Sequence, residues 1–131
     1  MKRHHMQNKQ SDTCEQKQRF DSATSSTYKA QRTKWQIRYG EGGSLGIFGE
    51  DVVRFGGKGS HQLVVPNTVF GQALAVSETF KAFEMDGILG LGFQSIAVGN
   101  VLPPLNNAWN QDLLDQPIFT VWLQRRVSTA S

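Results

Sequence analysis

Apolar and polar residues alternate most regularly where Trp35, Ile37 and Tyr39 interleave with Lys34, Gln36 and Arg38. A two-residue period marks a strand with one covered face. Gly40, Gly42, Gly43 and Gly46 follow and read as the positive-φ positions of a turn. Ile47, Phe48, Val52, Val53 and Phe55 bring the chain back. Residues 35–55 are therefore predicted to form a β-hairpin whose mobile, glycine-rich tip carries Tyr39 and can cover a ligand.

Shorter signals flank the hairpin. Asp21–Ser26 is a polar turn cluster leading into a strand at Thr27–Lys29. Gly56–Ser60 is a turn, and its Lys58 precedes Gly59 rather than Ser or Thr, so it is no phosphate loop. Gln62–Val65 and Thr68–Phe70 read as short strands broken by Pro66, which marks an edge or a bulge. Ala73–Val76 is a further strand, and Ser77–Glu84 a polar connection holding Phe80 and Phe83. Gly87–Leu91 and Ile118–Leu123 are apolar without alternation, as in strands covered on both faces. Gln94–Ala97 suits one helical turn. Pro103–Leu114 suits a helix with Leu105, Ala108 and Trp109 on one face, stopped by Pro117. The sum is one mainly β domain with a packed double sheet and one or two short helices.

Composition changes this picture little. The net charge of +3 lies in the first twenty residues, where five basic residues face two acidic ones; nine of each follow. Residues 1–17 read as a basic, disordered arm with too few aromatics for nucleic-acid recognition. No apolar run nears the ~20 residues that span a bilayer. Met1–Gln10 has no hydrophobic stretch behind it, so no targeting signal is expected here. His4 and His5 lack further ligands at metal spacing. No metal and no cofactor are expected. Cys14 is the one cysteine and sits in a polar stretch unsuited to a nucleophile.

Several motifs occur in fixed order. They are Phe20-Asp21-x-x-x-Ser25-Ser26-Thr27-Tyr28, Tyr39-Gly40-x-Gly42, Phe48-Gly49-x-Asp51-x-Val53 and Asn67-x-x-Phe70-Gly71. Asp86-Gly87-Ile88-Leu89-Gly90-Leu91, Pro103-Pro104-Leu105 and Ile118-Phe119-x-Val121-x-Leu123 complete the series. Together they resemble the N-terminal lobe of pepsin-like aspartic endopeptidases across residues 14–124. The resemblance implies a partial lobe at 18–126, with a tail at 127–131, from a bilobal fold secreted or sent to lysosomes. It implies that Tyr39, Gly40, Glu41 and Gly42 form the substrate-binding flap. Phe80, Met85 and Ile88 would line a pocket beside the scissile bond, with Met85 where Phe is usual. It makes Cys14 half of a disulfide whose partner is not found a few residues upstream. The partners it implies are a peptide or protein substrate and a C-terminal lobe.

Such enzymes cleave amides with two aspartates that share a proton and activate a water, each on a D-[ST]-G loop. Neither loop occurs here. Asp12-Thr13-Cys14 matches two of three positions, but Cys replaces Gly and the register places it in the disulfide loop. No catalytic residue is assigned, and the isolated chain is expected to be inactive. Gly42-Gly43-Ser44-Leu45-Gly46 fits G-x-S-x-G, yet a strand rather than a helix should follow it, which excludes a nucleophile elbow. The other reading is a non-catalytic β-domain that binds an extended peptide or a protein partner. Strands that would pair with 88–91 and 118–123 are not found in the sequence, so those segments are expected to expose apolar side chains.

Overall fold

The computed structural model describes residues 17–40 and 42–123. Glu41, Cys14, the histidine pair and the tail lie outside them. Three strands, β1 (Lys29–Tyr39), β2 (Gly42–Phe55) and β3 (Leu63–Val76), form one antiparallel sheet in the order β1-β2-β3. One helix, α1 (Pro104–Asn110), follows, and 3-10 turns occupy Ser22–Thr24, Glu78–Ala82, Gln94–Ile96 and Val98–Asn100. The domain is mainly β, as the patterning indicates.

The hairpin is longer than its signal. Pairing runs from Lys29↔Glu50 to Tyr39↔Gly42, so Thr27 and Tyr28 precede the strand. The turn is also tighter than four glycines suggest. Gly43 and Gly46 lie inside β2, and neither they nor Gly40 has positive φ. Gly46 is needed because the chains touch: a Cβ there would stand 1.9 Å from the Gln72 carbonyl oxygen.

Two apolar clusters cover the sheet. On one face Trp35 donates from Nε1 to the Ile47 carbonyl at 3.0 Å and its ring lies 6.4 Å from Phe48. Its indole occupies the space a side chain at Gly71 would fill. On the other, Phe20 meets Phe70 edge-on at 5.1 Å and Tyr28 at 5.8 Å. The Tyr28 hydroxyl accepts from Gln72 Nε2 at 2.7 Å, and its ring leaves room only for glycine at position 49. The recurring aromatics and glycines of the motifs are thus packing partners.

Leu63–Val65, Thr68–Phe70 and Ala73–Val76 merge into the single strand β3, and Gln62, expected at its start, lies just outside it. Pro66 sits at an edge strand and a bulge together: register shifts between Asp51↔Thr68 and Val53↔Val65, with Asn67 at φ 50°. Helix α1 covers this bulge. It ends at Asn110, well before Pro117, because Asp112 turns left-handed at φ 55°. Leu113 then bonds back to Ala108, and Asp112 to Trp109, the backbone pattern that closes a helix. Ala108 faces inward with Asn107, while Trp109, expected on the covered face, is 41% exposed.

Gly87–Leu91 and Ile118–Leu123 form no strands, so there is no second sheet among the described residues. A strand needs a neighbour to hydrogen-bond, and none of the described segments pairs with them. Their side chains lie open, with Ile88 at 58% and Trp122 at 82% exposure.

Asp51 fastens the approach to β1. Its carboxylate is nearly buried and accepts from the Thr27 hydroxyl at 2.5 Å and the Val52 amide at 2.7 Å. The Ser25 and Thr27 hydroxyls, with smaller help from Val52 and Arg54, hold its pKa below the ordinary 3.8. A lowered native pKa stabilises the fold above the unfolded-state value, and that stabilisation fades as pH falls through the native value. Denaturant titrations between pH 7 and 2 should show stability dropping below about pH 4 in the native chain. Asp51→Asn should lose part of that acid dependence; an unchanged acid limb would reject the assignment.

Candidate functional site

The hairpin ends in a groove of about 560 Å³. Strand β1 delivers Tyr39 to its mouth, β2 supplies Gly42, Gly43 and Ser44, and the end of β3 supplies Ala75, Val76 and then Ser77. Tyr39 is 41% exposed. Phe80 meets it edge-on, with centroids 6.1 Å apart and planes at 82°. Phe83 stands 6.1 Å behind Phe80. The 3-10 turn Glu78–Ala82 makes this meeting possible by carrying Phe80 back toward the tip.

Ser77 ties the two sides together. Its amide donates to the Gly43 carbonyl at 2.9 Å, and its hydroxyl accepts from the Gly43 amide at 3.0 Å. A Cβ on Gly42, whose φ is 156°, would stand 2.0 Å from that hydroxyl. Gly42 is thus required by close approach to Ser77. Gly40 has nothing within 4 Å of the place a side chain would occupy. Ser77 was not foreseen from the sequence. Its position before the 3-10 turn suggests an N-cap, but its side chain caps nothing there and serves the hairpin instead.

Tyr39, Gly40, Gly42 and Phe80 therefore come together. Met85 and Ile88 do not join them and are 44% and 58% exposed; the groove itself is lined by Tyr39, Gly40 and Gly42 but by none of Phe80, Met85 and Ile88. Ser44 of the G-x-S-x-G match lies within β2 and donates to the Ala75 carbonyl at 3.1 Å, with strand following it. No nucleophile elbow forms there.

The aspartates work separately. Asp21 accepts from the Ala23 amide at 3.0 Å and caps a turn. Asp86 accepts from the Gln18 amide at 2.9 Å, anchoring the segment before Phe20. Asp51 is engaged as described, and Asp112 closes α1. No group of three or more His, Cys, Asp or Glu side chains suited to a metal occurs among the described residues. No helix among the described residues is long and apolar enough to cross a membrane. The groove presents the Tyr39 ring, the strand ends at Gly42–Leu45 and Ala75–Val76, and the hydroxyls of Ser44 and Ser77.

A family profile described as eukaryotic aspartyl protease matches residues 3–131. Aspartic protease 6 of Caenorhabditis elegans is 54% identical over 113 residues, covering 86% of this chain and 29% of that protein. Aspartic protease 2 of Necator americanus is 47% identical over 116 residues, covering 88% and 27%. Cathepsin E-A of Xenopus laevis is 37% identical over 121 residues, covering 92% and 29%. The chain spans under a third of the length of these relatives.

Proposed function

The chain belongs to the eukaryotic aspartyl protease family, and on that premise we propose that it is the flap-bearing part of the N-terminal lobe of a pepsin-like endopeptidase. In this reading it holds an extended peptide without cutting it by itself. The supporting observation is the edge-on contact between Phe80 and Tyr39, the aromatic residue that lines a groove at the hairpin tip. Tyr39 covers the bound peptide, and the backbone at residues 40–42 bonds it as an added strand does. Phe80 supports the tyrosine ring from behind. Met85 and Ile88 serve as apolar contacts for a longer substrate, and their exposure leaves them free to do so.

Cleavage needs two aspartates sharing one proton, so that one activates water while the other protonates the scissile carbonyl. No D-[ST]-G triplet occurs in the chain, and Asp21, Asp51 and Asp86 each accept hydrogen bonds from separate partners. The partners in this proposal are a peptide or protein substrate and a second lobe. The whole protein is placed in a secreted or lysosomal setting. The lowered Asp51 pKa suits such acidity, since it lets the approach to β1 survive below the usual carboxylate range.

The test uses the full chain tethered to a sensor at low density. An extended peptide of bulky apolar residues should bind, and Tyr39→Ala should weaken it about tenfold, the scale of one lost aromatic contact. The same chain should show no pepstatin-sensitive cleavage of denatured haemoglobin at acidic pH. Robust pepstatin-sensitive turnover, or binding indifferent to Tyr39, would overturn the reading.

A further inference from the structure

Strand β1 is an edge of the sheet. Its ladder runs to β2 alone, and no other described backbone group bonds to it. Past the irregularity between Ala30 and Lys34, residues 34–39 pair in regular register with β2. Their outer side is therefore a row of amides and carbonyls open to a further strand. The Val98–Asn100 turn lies over the Trp35–Phe48 face, with Gly99 against the Phe48 ring, and makes no backbone bond to β1.

Alternation gives this edge two faces. Lys34, Gln36 and Arg38 are exposed on one, and Trp35 and Ile37 are half-buried on the other. The positions opposite Lys34, Gln36 and Arg38 on β2 are Ile47, Leu45 and Gly43, all uncharged. Neither the Lys34 nor the Arg38 side chain has an ion pair or hydrogen bond with a described residue. Two cations roughly 13 Å apart along the strand thus await partners on the outer side. A second copy of the chain does not suit them. Antiparallel pairing of two β1 strands about Gln36 would set Lys34 against Arg38, cation on cation. The complement is a strand that reads acid, apolar, polar, apolar, acid. Its acids meet Lys34 and Arg38, and its apolar residues extend the cover of Trp35 and Ile37. The pattern is the same in both directions, so it serves parallel and antiparallel pairing.

We infer that the outer edge of β1 docks an extended segment of a separate protein with this pattern, Glu-Val-Gln-Val-Glu being the simplest case. Main-chain bonds hold the segment, and Lys34 and Arg38 set its register. The site runs along the strand before the hairpin tip and does not depend on the flap reading. Cations on an edge strand also discourage aggregation, but that role alone would give no preference for the order of residues in a peptide.

The experiment uses the tethered full chain and a peptide built around Glu-Val-Gln-Val-Glu. A second peptide, with Glu-Glu-Gln-Val-Val in the same place, has the same composition but cannot put both acids on one face. The first should bind about fivefold tighter, the scale of one strong cross-strand pair, and the advantage should shrink at high salt. N-methylation of one alternate set of its amides should abolish binding while the other set tolerates it, because only one set faces β1. The chain carrying Lys34→Glu and Arg38→Glu should prefer Lys-Val-Gln-Val-Lys, which a merely unfolded variant would not do. Arg54→Gln, toward the far end of β2, should keep the native preference. Excess of the apolar peptide used to test the flap should not displace the acidic one. Equal binding of the two isomers, no binding by either, tolerance of both methylated forms, or displacement by the apolar peptide overturns the inference. Failure of the apolar peptide to bind bears on the flap reading alone.

Discussion

Gly46→Ala is expected to prevent the sheet from forming in its present register, at a cost of about 3 kcal/mol or more, the upper end for overpacking. Gly46 is buried in β2, between Trp35 on one side and Ala73 on the other. Register shifts between Leu45 and Gly46, so the ladder is irregular there. The added methyl would sit 1.9 Å from the Gln72 oxygen and 2.8 Å from its carbonyl carbon. These are backbone atoms held by the ladder, so no side chain can swing away to relieve the contact. Domains of this size have about 5–15 kcal/mol of stability in all, and one such clash takes a large share. Gly40→Ala makes the control, since nothing lies within 4 Å of its site and its φ is not positive. That variant should stay within about 0.5 kcal/mol, as surface changes usually do. Denaturant midpoints for the two variants decide the matter. Equal, small shifts would show that β3 can move away from β2.

The glycines explain why the fold was only partly legible. A glycine between apolar runs signals either a positive φ or a close approach, and the sequence does not separate the two. Gly56 and Gly59 are of the first kind, with φ of 114° and 84°. Gly43, Gly46, Gly49 and Gly71 are of the second, each facing a neighbour that fills the place of a side chain. Reading Gly43 and Gly46 as turn residues made the loop too long and β2 too short. Alternation served better: Trp35 and Ile37 are half-buried while Lys34, Gln36 and Arg38 are exposed. Unbroken apolar runs served worst. Such a run states that a segment wants cover on both faces, and whether it becomes a strand depends on a partner elsewhere. Gly87–Leu91 and Ile118–Leu123 lack one among the described residues.

The candidate site was legible to a similar degree. Tyr39 stood out because an aromatic at a glycine-rich tip has no core to join, and Phe80 because it interrupts a polar stretch. Their contact depends on the 3-10 turn Glu78–Ala82, which no periodicity announces. Ser77 acts through its backbone and hydroxyl together, and a single serine before a turn has many possible uses. Arg38 looked like an ordinary polar member of an alternating strand. Only the register, which sets it beside Gly43 and near Leu45, shows its distinct surroundings.

Asn107→Leu should cost about 2–4 kcal/mol, since an unmade buried hydrogen bond costs about 1–3 kcal/mol for each group left without a partner. The Asn107 amide nitrogen donates to the carbonyls of Pro66 and Asn67, both at 3.2 Å, and to the Thr68 hydroxyl at 3.1 Å. Its oxygen accepts from Gln111 Nε2 at 3.0 Å, and that nitrogen also reaches the Pro66 carbonyl. Pro66 and Asn67 form the β3 bulge, whose carbonyls turn from the ladder toward α1, and leucine has nothing to offer them. Thr68 is fully buried and its hydroxyl also donates to the Val65 carbonyl, so the network is shared and its members should couple. A double-mutant cycle of Asn107→Leu with Thr68→Val should show coupling of about 0.5–3 kcal/mol. Trp109→Ala, on the open side of the same helix, should cost far less. Additive losses from Asn107 and Thr68 would mean that the helix rests on the bulge by apolar contact alone. The consequence reaches the groove, because β3 runs unbroken from the bulge to Val76. If the clamp sets the register, hydrogen exchange at the Gly43 and Ser77 amides should quicken in Asn107→Leu, although both lie at the far end of the strand pair.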